Sequence, residues 1–578
     1  MVRTHSALLL IALLLATLMA GKVAAHPPAP QRFVAIALHD VVDNPAELDD
    51  DGVTSDQLGG FFEWLAGNDW TAISLDDIER ARRGLQPLPP RAVLLTVDDG
   101  YRSLYTRVYP LALAYRTPVV AALVGDWMDT PAGDSVEYGQ QRVPRSHFIT
   151  WAQAREMQAS GLIEFASHSQ GLHALLPANP QGNLLPAAQT RQYAHGRYET
   201  DAQFRARIRA DLVRARTRMQ QELGRAPRAL VWPYGRYNQA ALEEASSLGF
   251  QFALTLARGP ADAAHPLHIS RFMPAGDKNL GLMIHDLRMA EPWPPARRLV
   301  EVDPQSFVGA DAEATNQKLG QLIEQLVALG ATHVLLDAVS LSNDGRVQSA
   351  WFPTSQVPVE QDLLSRFSAQ MSARAGVQIV ARLPHAAALA TLGDSRQVLA
   401  LYADLASHVP FDALLLEGMQ APVLYPARPD DAPWDVRERR DAIAQVEGVG
   451  GDALALQAFR LAERARPGLE LFWLAPDTAA QLPASGIAEL TLVARRLQAP
   501  GRSPAFVLDA PLSRRTGILW SADSPAAPAL FVRSIRAFQA QGGTEFGWQA
   551  DYPHSGLPPL SIAPEFSARD SLPPGYAP

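Results

Sequence analysis

At 578 residues the chain exceeds the roughly 250–300 residues at which a single core stops growing, and 47% hydrophobic with 19% charged residues is an ordinary globular composition, which predicts two domains with sizeable cores. Lys and Arg number 51 against 60 Asp and Glu, a net charge of −9 that argues against nucleic acid or an anionic membrane as partner and tolerates a neutral or cationic polymer. Cysteine is absent, so the cores must hold without disulfides, and no cysteine follows the leader to carry a lipid.

Residues 1–25 read as a secretory signal peptide. Arg3 and His5 precede the apolar run 7–20, and Val23-Ala24-Ala25 supplies small residues for cleavage after Ala25. The run is too short for an ordinary membrane span, and no later stretch is long and apolar enough for one. The expectation is an exported, periplasmic protein, with an uncleaved anchor as the alternative.

The first domain is expected over 26–287. A strand at 33–38 ends at His39-Asp40, and a helical stretch at 55–66 carries Leu58, Phe61, Phe62 and Leu65 on one face. After a short strand at 71–75, the apolar run 92–97 ends in Asp98-Asp99-Gly100, as a buried parallel strand does when it delivers polar groups to a sheet end. An Asp-Asp-Gly turn is the plainer reading of that stretch alone. Strands at 118–124 and 162–167 follow, the second ending at His168 with His173 five residues on. Residues 174–199 make a loop too long for a plain connection. A helix is expected over 201–223, its many arginines forming a solvated face, then a strand at 229–232 ending in Pro233-Tyr234-Gly235, a helix at 240–248 and a strand at 250–255. Strand–helix alternation of this kind predicts an α/β fold with a parallel sheet or barrel.

Residues 288–298, with Glu291-Pro-Trp-Pro-Pro295, read as a linker. Over 299–551 the alternation restarts, with strands at 299–302, 333–336, 377–383, 413–416, 469–474, 488–493, 505–508 and 543–547. Helical patterns at 313–329, 360–374, 435–446, 452–465 and 529–541 separate most of them, which predicts a second (β/α) barrel. The tail 552–578, rich in Pro and Ser, is expected to be extended.

Four strand ends of the first domain thus carry polar groups: His39-Asp40, Asp98-Asp99, His168 with His173, and Pro233-Tyr234. In a parallel sheet or barrel such ends share one face, where sites form. Asp99, His168 and His173 make an Asp-His-His set suited to a divalent cation, zinc first, with nickel, cobalt or iron as alternatives. Asp98 is then free to act as base toward a water whose acidity the cation raises.

These motifs resemble those of a known family. Thr96-Val-Asp98-Asp99-Gly100-Tyr101, Ser167-His168-x4-His173 and Trp232-Pro233-Tyr234-Gly235 are similar to successive motifs of the NodB-like polysaccharide deacetylases. Asp98-Asp-Gly-Tyr-Arg-Ser-Leu-Tyr105, Pro177-Ala-Asn-Pro-Gln-Gly-Asn183 and the two-domain layout resemble the poly-β-1,6-N-acetylglucosamine N-deacetylases of bacterial biofilm export systems.

The resemblance implies a distorted, often incomplete (β/α) barrel followed by a second barrel of glycoside-hydrolase type. It implies Asp98 as catalytic base, Asp99, His168 and His173 as metal ligands, the backbone N–H of Tyr234 as oxyanion donor, and His39 as a further member of the site. It points to the glucosamine polymer as substrate and an outer-membrane export pore as a further partner. Many members have an Arg two residues before the motif proline, to orient the base; here that residue is Val231. The general acid is open, with His268 a candidate.

In the second domain the family segment Trp351-Phe352-Pro353 lies near a sugar groove or is ordinary packing. Glu417-Gly418-Met419 replaces the acidic pair of members that cleave polymer. Glu417 with Asp337, Asp344 or Asp509 could supply the two carboxylates hydrolysis needs, and binding without cutting is the simpler expectation. The alternatives are deacetylation of another polysaccharide, peptidoglycan or chitin-like, and a non-catalytic polymer-binding export module.

Overall fold

The computed structural model describes residues 31–48, 51–257, 259–274, 281, 284, 287, 296–417, 433–444, 453–475, 486–496, 515–521, 527–549 and 557–568. The expected signal peptide, most of the linker and the expected strand at 505–508 lie outside them.

The first unit is built on six parallel strands: β1 (Arg32–Leu38), β2 (Ala92–Val97), β3 (Val119–Leu123), β4 (Ile163–Ser167), β5 (Ala229–Val231) and β6 (Phe252–Leu254). Their order in the sheet is the chain order, from β6 at one edge to β1 at the other. Thr71–Ala72 adds a short parallel partner to β2, and Ala261–Asp262 pairs antiparallel with β1. Every residue of β2 is buried, as an apolar run covered on both faces must be.

The two edges are spanned by the segment from Ile269 to Phe272. Ile269 bridges Leu254 of β6 and Phe272 bridges Ile36 of β1, both in parallel sense. The Phe272 N–H donates to the Ala35 carbonyl at 2.9 Å and the Ala37 N–H to the Phe272 carbonyl at 2.8 Å. The sheet therefore curls into an irregular barrel closed by a stretch too short to be a regular strand.

Helices cover the outside. Ser55–Gly67 starts on a capping box of Thr54 and Gln57 and buries Leu58, Phe61, Phe62 and Leu65. Asp201–Leu223 begins on the same device, Thr200 with Gln203, buries Phe204, Ile208, Leu212, Ala215 and Met219, and ends at Gly224 in the left-handed conformation. Arg205, Arg207, Arg209 and Arg218 on its outer face pair with carboxylates.

The second unit is a closed barrel of eight parallel strands: β7 (Arg298–Val302), β8 (His333–Asp337), β9 (Gln378–Arg382), β10 (Ala413–Glu417), β11 (Glu470–Ala475), β12 (Leu490–Arg496), β13 (Thr516–Ser521) and β14 (Glu545–Trp548). Leu299, Leu335, Val380, Leu415, Phe472, Leu492 and Leu519 form one buried cluster, so the lumen is packed rather than open.

Two expectations need correction. The seventh barrel strand is Thr516–Ser521, whose Thr-Gly-Ile-Leu-Trp-Ser pairs with β12 and β14 on either side. The tail is not wholly extended. Leu560–Ile562 and Ala563–Ser567 are helical, with Pro564 in the first turn where its missing N–H costs nothing. Ile562 and Phe566, four apart, are both buried against the barrel, Phe566 beside Phe531 and Phe546.

The long loop after His173 folds into two hairpins, Leu175–Pro177 with Leu184–Pro186 and Tyr193–Ala194 with Arg197–Tyr198. It touches the second unit. The Asn179 amide donates to Ser365 Oγ at 3.1 Å, and the Tyr198 hydroxyl donates to Asp362 Oδ2 at 2.5 Å. Among the described residues no helix is long and apolar enough to cross a membrane.

Candidate functional site

Parallel register brings the strand ends of the first unit level with one another. Leu38 pairs with Val97, and the Asp98 N–H donates to the Leu38 carbonyl at 2.8 Å, so His39 and Asp98 leave their strands side by side. Leu123 pairs with Ser167, and Ser167 with Leu230, which sets His168 beside the turn Pro233-Tyr234-Gly235. Just beyond these ends Asp99, Ser169 and Tyr234 have φ of 71°, 71° and 57°, left-handed values that cost a non-glycine residue on the order of 1–3 kcal/mol each. Gly100, at φ 76°, sits where a Cβ would come 2.8 Å from the Leu123 Cδ2 methyl, so the turn after the carboxylate pair favours glycine.

Asp99, His168 and His173 are all buried, and their ligand atoms lie within 4.8 Å of one another. Asp99 Oδ1 faces His168 Nε2 at 3.3 Å and His173 Nε2 at 3.4 Å. A tetrahedral zinc site with ligand bonds of about 2.0–2.1 Å separates neighbouring ligand atoms by roughly 3.4 Å, so the two separations from Asp99 suit ligands of one cation. Asp99 Oδ1 is buried with no hydrogen-bond partner, as an oxygen reserved for a metal would be. The His168 Nδ1–H donates to the Val231 carbonyl at 2.7 Å, a tautomer that aims the Nε2 lone pair into the triangle. His173 is held by ring contacts with Trp127 at 4.6 Å and Tyr234 at 4.4 Å.

Electrostatics agree with this geometry. Burial would raise the Asp99 carboxyl, but His173 and His168 outweigh it and hold the group well below the usual carboxylate range. Burial would lower the His168 imidazole, and the neighbouring Asp99 and Asp98 reverse that and raise it. The Asp99 carboxylate is thus held ionised and favours a positive charge beside it.

Asp98 is held by an arginine that sequence reading did not assign. Arg271 Nη1 and Nη2 donate to Asp98 Oδ1 and Oδ2 at 2.9 and 2.8 Å, a fork-to-fork pair in which both side chains are buried. Arg271 is itself fixed by Thr96 Oγ1 at 2.8 Å and the Thr255 carbonyl at 3.0 Å. Burial would raise the Asp98 carboxyl; the Arg271 guanidinium, with His168 and His39, more than offsets this and keeps it below its ordinary value. The Val231 side chain points instead into the core with Leu254 and Ile269. The arginine paired with Asp98 thus comes from the segment that closes the barrel, not from β5.

His39 is gathered in, with Nε2 3.9 Å from Asp98 Oδ2. His268 is not. It is engaged instead by Tyr237, whose hydroxyl lies 2.8 Å from its Nδ1 and whose ring centroid is 6.2 Å away. Tyr234 brings its ring against His173, and its hydroxyl lies 3.4 Å from the His173 carbonyl. Tyr138, also unassigned from sequence, donates its hydroxyl to Asp99 Oδ2 at 2.9 Å. Its signal was faint: a single aromatic in the polar stretch 133–147.

At the matching end of the second barrel, Arg382 pairs with Glu301, with Asp337 at 3.2 Å and with Glu417 at 3.5 Å. Burial, together with Asp303 and Glu417, pushes the Asp337 carboxyl up to about 7 despite Arg382. Asp344 is not part of this group: it bonds Ser342 and pairs with Arg346 on an exposed hairpin. Asp509, Gly418 and Met419 lie outside the described residues. Trp351 and Phe352 are buried in the barrel's core, which makes their loop a packing element.

Residues 86–253 match the family model described as polysaccharide deacetylase, and residues 302–392 the model described as hypothetical glycosyl hydrolase family 13. The first unit is therefore a domain of the polysaccharide deacetylase family, followed by a glycoside-hydrolase-like barrel. Among named proteins, the chain is 36% identical over 364 residues to poly-β-1,6-N-acetyl-D-glucosamine N-deacetylase of Escherichia coli K12, covering 62% of this chain and 54% of that one. The chain thus spans about half the length of the curated relatives it matches first. Two solved structures are similar to its first unit. The BpsB deacetylase domain of Bordetella bronchiseptica is 39% identical, covering 43% of this chain and 97% of that one with a TM-score of 0.38. A de-N-acetylase of Aggregatibacter actinomycetemcomitans is 33% identical, covering 44% and 99% with a TM-score of 0.42.

Proposed function

We propose that the protein hydrolyses the N-acetyl groups of exported poly-β-1,6-N-acetylglucosamine in the periplasm, with Asp98 as base and Asp99, His168 and His173 as ligands of a divalent cation. The observation that carries this reading is the buried Asp99–His168–His173 triangle with an arginine-clamped Asp98 beside it. The match to the named N-deacetylase supports the choice of polymer.

A cation held by the three ligands supplies Lewis-acid activation of water and of the acetamide carbonyl. Asp98, kept ionised and oriented by Arg271, takes the proton of the attacking water as its oxygen bonds to the carbonyl carbon. The Tyr234 turn offers a backbone N–H to the oxyanion. The C–N bond then breaks, acetate leaves, and the sugar nitrogen takes a proton to become a free amine. His39, beside Asp98, is better placed to supply that proton than His268. The mild acidity of the chain suits a protein that hands a cationic product onward to an export pore.

Acetate release from the N-acetylglucosamine polymer tests the assignment, with chitin oligomers and peptidoglycan as competing substrates. Release should stop on chelation and return with added zinc, cobalt or nickel. Asp98→Asn should lower kcat by about 10²–10⁴ with the metal still bound. Full acetate release by Asp98→Asn, or indifference to chelator, would sink the reading.

The second barrel is proposed to bind the polymer without cutting it, because Arg382 lies among the carboxylates that hydrolysis would need separated. Shorter oligosaccharides appearing when the full chain meets partly deacetylated polymer would overturn that.

A further inference from the structure

We propose that Tyr138 is a positioning residue that holds Asp99 as a one-oxygen ligand and thereby keeps a coordination position free for the reacting groups. The inference rests on the metal reading above.

The two oxygens of Asp99 have different surroundings. Oδ1 faces both histidine Nε2 atoms, at 3.3 and 3.4 Å, and has no hydrogen-bond partner. Oδ2 accepts the Tyr138 hydroxyl at 2.9 Å. A carboxylate with one oxygen engaged by a phenol presents the other to the cation, and its rotation toward two-oxygen ligation would break that hydrogen bond. A catalytic site needs such restraint, because three protein ligands must leave a position open.

The phenol is delivered by a built support. Ser135–Tyr138 and Gln141–Pro144 form an antiparallel hairpin whose alternation turns Val136 inward into an aromatic cluster. The Tyr138 ring packs against Trp127 at 5.1 Å, His173 at 5.3 Å and Tyr101 at 6.1 Å. At the hairpin's base the buried Arg145 donates to the carbonyls of Met128, Phe148 and Ile149 at 3.1, 3.2 and 2.8 Å. The Tyr138 hydroxyl also lies 3.4 Å from Asp51 Oδ2, a longer contact from the loop that precedes the first helix. The hydroxyl has one proton, and the shorter distance assigns it to Asp99.

The test is metal binding by the full chain. Apo protein prepared by chelation is titrated with zinc against a chromophoric competitor, and with cobalt followed by its visible spectrum. Tyr138→Phe keeps the ring packing and removes the hydroxyl. It should bind zinc about 10–100-fold more weakly, and its cobalt bands should weaken as Asp99 turns to two-oxygen ligation. Tyr105→Phe, which removes a surface hydroxyl bonded to Glu156, should leave both readouts at wild-type values, and equal melting of the apo proteins should show that Tyr138→Phe is folded. Unchanged zinc affinity and cobalt spectrum in Tyr138→Phe overturn the inference alone. Failure of the wild type to bind any divalent cation overturns it together with the metal reading. A crystal structure of the zinc-loaded wild type with both Asp99 oxygens on the ion overturns it without recourse to a variant.

Discussion

Asp98 is an unfavourable residue to bury alone. Breaking a buried ion pair from one side costs about 3–5 kcal/mol, so Arg271→Ala would test folding as much as chemistry. Arg271→Lys is the sharper probe, because an ammonium cannot hold both carboxylate oxygens as the guanidinium does at 2.8 and 2.9 Å. We expect kcat to fall about 10²-fold, the loss that a misplacement on the order of 1 Å brings, with KM and zinc affinity near wild type. A variant with wild-type kcat would remove Arg271 from the orienting role. Asp98, Asp99 and His168 were legible because they follow directly on apolar strands, and His173 because it stands five residues beyond His168. Arg271 and Tyr138 were not, since one lies on a closing segment without strand periodicity and the other on an inserted hairpin. Sequence reading looked for the arginine at Val231, on the strand where the family pattern has it, and the fold supplies it from the segment that bridges β6 and β1.

Strands and capped helices were the legible elements. The helix Asp201–Leu223 has the residues expected of it, because Thr200 and Gln203 mark its start and Gly224 its end. Seven of the eight expected strands of the second barrel correspond to observed ones to within a few residues, as apolar runs between polar turns should. The misses have local causes: Ile562 and Phe566 make an apolar pair four apart in a segment whose Pro and Ser content suggested an extended tail. At the end of the barrel, strands β8, β9 and β10 converge on Arg382, and the Asp337 carboxyl is raised to about 7. Its free value is near 3.9, so the folded state keeps a proton that the unfolded state loses between these values. The stability of the second unit should therefore fall as pH rises from about 4 to 7. Asp337→Asn should flatten that slope, read as the urea midpoint of the second unit at pH 5 and at pH 8. Equal slopes in wild type and variant would mean that Asp337 ionises normally.

At the scale of the molecule, sequence indicated two units and marked 174–199 as more than a connection, but orientation is set by pairings hundreds of residues apart that leave no periodic trace. The loop follows directly on His173 and sets Asn179 on Ser365 and Tyr198 on Asp362, while Gln189 meets Arg466 at 3.3 Å and Arg236 lies 3.9 Å from Asp412. Tyr198 also packs edge-on against His408, with ring centroids 4.7 Å apart. Burial, reinforced by Arg191 and Arg466 and opposed by the Asp404 carbonyl and Asp201, pushes the His408 imidazole down to about 4. A free histidine titrates near 6.5, so an undocked or unfolded His408 takes up a proton between these values that the docked one refuses. The contribution is fully present above about pH 6.5 and is lost as pH falls toward 4. The raised carboxyls of Asp362 and Asp404 act in the opposite sense, strengthening the contact as they protonate. The window for His408 is therefore its upper part, about pH 6.5 to 5. Calorimetry should show the two units melting together at pH 7.5 and separating at pH 5.5. His408→Phe, which keeps an aromatic ring against Tyr198 and cannot be protonated, should melt as one unit at both. A variant that separates at pH 5.5 as the wild type does would place the pH dependence elsewhere in the interface.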